Sequence, residues 1–160
     1  MVNITYHTIK HELQKYERLE NKALVLAKIT HQDQKRKDGE EYINHPIRVA
    51  DDIVETYGYL AGKKAELHLY CMGILHDVIE DSPIPEMRQI VEEEFPKNVY
   101  EVVKIMTKGK DENYLDYILR IRKNYIAVLV KLADLKDNLS NLQKGTLRDK
   151  YLLAQHILAK

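Results

Sequence analysis

In the segment Met72 to Asp81, MGILHDVIED, an adjacent histidine and aspartate, His76 and Asp77, interrupt a run that is otherwise apolar and helical in its spacing. Burying either group is costly, because an ionised carboxylate in apolar surroundings must be paired, hydrogen-bonded or bound to metal. A second interruption occurs in Val128 to Asn141, VLVKLADLKDNLSN, where Asp134 sits inside one of the most apolar helical stretches of the chain. Asn138 lies one turn further on the same face, with Asn141 close by. His45, directly before Pro46, is the third feature. Taken singly, each has a plainer reading: a half-buried histidine beside an exposed aspartate, a solvated polar stripe, a histidine in a loop leading into a helix. Taken together, two imidazoles and two carboxylates suit a divalent cation of the first transition row, with positions left open for water. Such an ion lowers the pKa of bound water and polarises a phosphoryl oxygen, which is the equipment for hydrolysing a phosphate ester or anhydride. Glu80 and Asp81 follow one turn beyond His76 and Asp77, near enough to orient or deprotonate an attacking water. Simple capping explains them less well, since acids are disfavoured at a helix C-terminus.

The elements that must position these groups are helical. Apolar residues recur at three and four positions far more often than at two, and only six Gly and four Pro punctuate the chain. The periodicity predicts an all-α bundle of about eight helices, near residues 8–30, 46–57, 62–81, 85–94, 97–107, 114–121, 124–143 and 147–159. Between the first two lies a polar stretch, His31 to Asn44, which contains Lys35-Arg36-Lys37 and an Asp38-Gly39 turn signal. A short basic run in a loop is commonly just solvated. Beside a metal site its function is to receive substrate phosphates, with Arg36 binding bidentately.

Lysine plus arginine and aspartate plus glutamate both number 25, so the net charge is zero and no field recruits long nucleic acid or an anionic membrane. The single cysteine, Cys71, excludes an internal disulfide and a cysteine-based zinc site, and fits a reducing compartment such as the cytoplasm. No signal-peptide pattern and no membrane-spanning run is read in the chain. With 160 residues, no repeat and no linker, a single domain over 1–160 is expected. A domain of this size suits a monomer or a small homo-oligomer alike.

The motifs HQDQKRKDGEEYINHPIRVA, GILHDVIEDSPI, VYEVVKIMTKG, VKLADLKDNLSNL and LRDKYLLA stand in this order between about Ala23 and Tyr151. In that order the chain resembles the HD-domain hydrolase half of the RelA/SpoT family, in particular the small stand-alone alarmone hydrolases that include the metazoan SpoT homologue. The resemblance implies an HD-domain helical bundle in which His45, His76, Asp77 and Asp134 bind one divalent ion, normally Mn²⁺. It implies that Glu80 and Asp81 organise the nucleophilic water. It also implies that Arg36 and Lys37 line the nucleotide site and that Asn138 and Tyr151 contact the guanosine nucleotide. The activity implied is removal of pyrophosphate from the 3′ position of (p)ppGpp, giving GDP or GTP, with no synthetase segment following. A histidine matching His31 in the family is expected to support the loop and not to bind metal. Family members commonly carry Pro where Glu41 stands here, which changes charge near the site. Two other readings stay open at this stage: the same chemistry on another phosphorylated nucleotide, such as NADPH, a dNTP, a cyclic nucleotide or a pyrophosphorylated RNA end, and a nucleotide-binding module without turnover.

Overall fold

The apolar stretch Leu69 to Leu75 is buried along almost its whole circumference, which only a helix at the centre of a bundle can satisfy. The computed structural model describes residues 4–160 and builds the bundle around that stretch. In chain order the helices are α1 (Tyr6–Leu13), α2 (Leu19–His31), α3 (Asn44–Ile53), α4 (Tyr59–Ala61), α5 (Lys63–Leu75), α6 (Val78–Asp81), α7 (Met87–Glu94), α8 (Lys97–Met106), α9 (Tyr114–Ile121), α10 (Tyr125–Asn141) and α11 (Thr146–Leu158). A π-helical turn, Val54–Gly58, joins α3 to α4. Among the described residues there is no β-strand and no helix long and apolar enough to cross a membrane. The all-α architecture therefore agrees with the expectation, while three of the expected helices are subdivided.

Each subdivision has a physical cause. The first expected helix, 8–30, breaks between Leu13 and Leu19 because its halves dock on different partners. Helix α1 opens with a Thr5–Thr8 capping box and lies against α7, where Lys10 pairs with Glu93 and Glu94 and Tyr6 donates to Glu93 at 2.6 Å. Helix α2 packs on α5 instead. The expected 46–57 helix gives way after Ile53 to the π-helical turn and α4, which Gly62 closes at φ 74°. The third break falls at His76 and Asp77, between α5 and α6. There His76 Nδ1–H donates to the Gly73 carbonyl at 2.7 Å, which takes that oxygen out of the helical ladder. Asp77 sits at φ −103°, ψ −7°, in the sparsely populated region that many active-site residues occupy. Glu80 and Asp81 consequently stand in a short turn of their own and not at the C-terminus of a long helix.

Helix α5 is the hub. It packs against α2, α3 and α8, and α10 packs in turn against α3 and α8. The approach of α3 to α5 is set by Gly73, where an added Cβ would fall 2.6 Å from Ala50 Cα and 2.9 Å from its N. Since α3 carries His45 and α5 ends at His76, this backbone contact fixes the distance between the two histidines. Gly73→Ala must push the helices apart. We expect it to cost about 1–3 kcal/mol and lower the Tm by several degrees, with a parallel loss of divalent-ion affinity. An unchanged thermal midpoint would contradict this account of the crossing.

Candidate active site

His45 lies in the first turn of α3 and is fully buried, as is His76 at the end of α5. Each ring is pinned through Nδ1. His45 Nδ1–H donates to Asp137 Oδ2 at 2.7 Å, and His76 Nδ1–H to the Gly73 carbonyl at 2.7 Å. Those acceptors hold the Nδ1 proton, so when each ring is neutral its Nε2 presents a lone pair inward, and both Nε2 atoms are buried without a hydrogen-bond partner. Around them stand two carboxylates. Asp134 Oδ1 is 3.2 Å from His45 Nε2 and 3.7 Å from His76 Nε2, while Asp77 Oδ2 is 3.0 Å from His76 Nε2 and 3.8 Å from His45 Nε2. Two orphaned imidazole nitrogens facing two carboxylates form a donor set that fits a divalent cation. The ligand atoms of His45, His76 and Asp134 lie within 4.8 Å of one another.

The carboxylates are themselves held. Asp134 accepts from Lys131 Nζ at 2.7 Å and from Asn138 Nδ2 at 2.6 Å, and Asp77 Oδ2 accepts from the Tyr42 hydroxyl at 2.7 Å. Burial pushes the Asp134 carboxyl up, yet Lys131 and the two histidines outweigh it and hold it well below the usual carboxylate range. Asp77 follows the same pattern, lowered by His76 against its burial. Asp81 behaves oppositely: burial, then the charges of Asp77 and Glu80, push it up to about 6.

Above this floor opens a cavity of about 500 Å³. Arg36, Lys37, Asn138 and Tyr151 line it, together with Glu80, Asp81, Asp77 and Asp134, so the site residues read from the sequence converge on one place apart from the two histidines buried beneath it. Six cations face the cavity: Lys35, Arg36, Lys37, Lys108, Lys131 and Lys150. Arg36 is carried on a hairpin whose ends pair Lys35 with Glu41, where Arg36 N donates to the Glu40 carbonyl at 2.8 Å and Gly39 turns the chain at φ 89°. Glu41, at the position where the family commonly has Pro, is exposed in that bridge. The far wall is aromatic, with the Tyr114 and Tyr151 rings 6.3 Å apart and Lys150 Nζ 3.9 Å from the Tyr114 ring centre.

Some placements add to the sequence reading. Glu80 is exposed and its Oε2 accepts from Lys108 N at 2.8 Å, which ties the loop after α8 to the cavity edge. Asn138 bridges the two halves of the site, since its Nδ2 holds Asp134 and its Oδ1 stands 3.4 Å from Arg36 NH2. His31 is buried, donates from Nδ1 to Gln34 at 2.7 Å and packs its ring 4.7 Å from that of Tyr42, an arrangement that supports the loop. Sequence reasoning did not single out Tyr42, Arg48, Lys131, Tyr114 or Asp137. A signal existed for four of these: Tyr42 and Arg48 flank His45 at three residues on either side, and Lys131 and Asp137 flank Asp134 likewise.

Comparison with known proteins places this geometry in a family. The HD-domain family model matches residues 23–159. The chain is 34% identical over 139 residues to a guanosine-3′,5′-bis(diphosphate) 3′-pyrophosphohydrolase of Haemophilus influenzae, covering 78% of this chain and 18% of that protein. It is 33% identical over 137 residues to the bifunctional (p)ppGpp synthase/hydrolase SpoT of Escherichia coli, covering 79% of this chain and 18% of SpoT. The chain thus spans about a fifth of the length of these relatives. Among solved structures, a metazoan ortholog of SpoT that hydrolyses ppGpp superposes with a TM-score of 0.67 at 24% identity, covering 89% of this chain and 84% of that one, so the fold is shared. With a matched segment that reaches from α2 to the end of α11 and contains every residue of the cavity floor, the chain belongs to the HD-domain family.

Proposed function

We propose that the protein is a Mn²⁺-dependent hydrolase that removes pyrophosphate from the 3′ position of (p)ppGpp. The observation that carries the reading is the pairing of two unpartnered, buried imidazole nitrogens and two carboxylates with a cavity bordered by six cations and two tyrosine rings. His45, His76, Asp134 and Asp77 would hold the ion. When bound, such an ion lowers the pKa of water and polarises a phosphoryl oxygen.

The remaining chemistry belongs to the chain. Arg36, Lys37 and Lys108 receive the phosphates, where charge-assisted hydrogen bonds orient the phosphorus and offset charge developing on its oxygens. Tyr114 and Tyr151 form the flat wall against which a purine base stacks, with Lys150 adding a cation beside it. Water adds to the phosphorus attached to the 3′ oxygen, the bond from phosphorus to that oxygen breaks, and GDP or GTP leaves with its 3′ hydroxyl restored while pyrophosphate departs. The water's proton passes to Asp81, whose carboxyl burial and the neighbouring Asp77 and Glu80 charges push up from its ordinary value, and Asp81 then gives that proton to the departing 3′ oxygen. Glu80 keeps the Lys108 loop at the edge of the cavity while lending a second carboxylate to the water.

Two outcomes follow for a hydrolase of this kind. The purified protein with Mn²⁺ should convert ppGpp to GDP and pyrophosphate, resolved by anion-exchange chromatography. Asp77→Ala should abolish the conversion, and Arg36→Ala should raise KM more than it lowers kcat. Turnover of NADPH or a dNTP in place of ppGpp would overturn the substrate, and no turnover of any nucleotide by protein with bound Mn²⁺ would overturn the enzyme reading.

The second outcome concerns pH. In the metal-free protein burial pushes both imidazoles down, but Asp134 and Asp137 raise His45, and Asp77 and Asp134 raise His76 well above the ordinary value. Protonated histidines therefore stabilise the fold fully below the unfolded value of about 6.5, and that contribution fades as pH rises through the raised folded values. A divalent ion replaces those protons, so it binds more tightly as pH rises and releases protons on binding. In EDTA the Tm should decline from about pH 6.5 upward, and the rise in Tm on adding Mn²⁺ should grow over the same range. A Mn²⁺-induced rise that is the same at every pH would argue against ligation by these imidazoles.

A further inference from the structure

We infer that Asp137 is a positioning residue that ties the metal-binding histidine of α3 to the phosphate-receiving arginine of the hairpin, so that the two halves of the site form and fail together. The inference rests on the reading of the site given above. Asp137 Oδ2 accepts from His45 Nδ1 at 2.7 Å and from Arg36 NH1 at 2.8 Å, which makes one oxygen common to both groups. Oδ1 accepts from Arg48 Nε at 2.5 Å, and Arg48 NH2 stands 3.3 Å from Oδ2. Glu40 clamps the other edge of the Arg48 guanidinium at 2.7 and 3.0 Å, and also accepts from Asn44 Nδ2 at 3.2 Å. The network thus closes across three segments: the hairpin through Arg36 and Glu40, α3 through Asn44, His45 and Arg48, and α10 through Asp137.

Water has little access to its centre. The side chains of Asp137 and Arg36 are 11% and 9% exposed, and that of His45 is fully enclosed. A carboxylate on Nδ1 of a metal-binding histidine fixes the ring, sets the tautomer that presents Nε2, and raises its basicity. The same carboxylate holds the Arg36 guanidinium beside the cavity, and Asn138 links that guanidinium to Asp134 by a second route. Arg36 therefore connects through one intermediary each to a histidine and a carboxylate of the cavity floor. A surface aspartate on the polar side of α10 would have no reason to take three cationic or imidazole donors at once. Arg48 and Glu40 explain how the arrangement is held: without Arg48, a single carboxylate would have to fix both His45 and Arg36 unaided.

The test is made on the full chain with two measurements whose joint change marks the positioning role, since a packing defect that lowers metal affinity alone leaves KM at saturating metal unchanged. Mn²⁺ is titrated calorimetrically into metal-free protein without substrate, and KM and kcat for ppGpp are measured at saturating Mn²⁺. Asp137→Ala is expected to weaken Mn²⁺ binding about 10- to 100-fold and, once saturated with metal, to raise KM about tenfold through loss of one charged contact to Arg36. Should that variant fail to fold, Asp137→Asn keeps the shape, sets an amide against the arginine donors, and decides by the same pair of measurements. A folded variant that binds Mn²⁺ like the wild type and keeps its KM overturns the role of Asp137 alone. A wild-type protein that binds no Mn²⁺ overturns the metal reading and this role with it.

Discussion

The hydrogen bonds from His45 Nδ1 to Asp137 and from His76 Nδ1 to Gly73 are the constraint on which the site depends. Each satisfies one nitrogen of a buried ring and thereby leaves the other without a partner, in a place where an unsatisfied polar atom is costly. The carboxylates of Asp134 and Asp77 would be similarly expensive if left facing one another, and Lys131, Asn138 and Tyr42 answer only part of their hydrogen-bonding capacity. A divalent cation resolves the two frustrations at once. Local strain of this sort is concentrated where it serves function, and the surrounding helices maintain it.

The bundle can be understood as the means of holding that frustrated centre. Gly73 lets α3 and α5 approach until backbone meets backbone, which brings the two histidine rings to 5.2 Å between centroids. The apolar circumference of α5 keeps that crossing dry, and α10 closes it from the side with Asp134 facing inward. The hairpin and the loop after α8 then supply the cations that neither α3 nor α5 could carry into a buried interface without large desolvation cost. The division of labour is physical: rigid helices hold the paired imidazoles and carboxylates, and the hairpin and the loop after α8 supply four of the six cations that face the cavity.

Much of this was legible in the residues because burial of charge is conspicuous. His76, Asp77 and Asp134 stand out as polar groups in apolar helical runs, and their convergence with His45 beneath one cavity follows that signal. Periodicity carries the all-α bundle but not the breaks inside three of its helices, which tertiary contacts decide. The break at Gln14–Arg18 arises because α1 and α2 dock on different helices, and the break at His76–Asp77 arises because a side chain captures a backbone carbonyl. Neither event leaves a trace in the spacing of apolar residues. Asp137 escaped notice for the opposite reason: an aspartate on a stripe with Asn138 and Asn141 reads as solvated, and only the fold reveals that His45, Arg36 and Arg48 all converge on it. Such outer groups become visible when each candidate ligand is examined one helical turn in both directions.

The claim on which the rest depends is that the paired imidazoles and carboxylates bind a divalent ion. Crystals soaked in Mn²⁺ and measured at a wavelength where manganese scatters anomalously test it directly. The account predicts a single strong anomalous peak bonded to Nε2 of His45, Nε2 of His76 and the carboxylates of Asp134 and Asp77, with both Nδ1 hydrogen bonds retained. A fully soaked crystal with no peak there, or with its peak among surface carboxylates elsewhere, would contradict it.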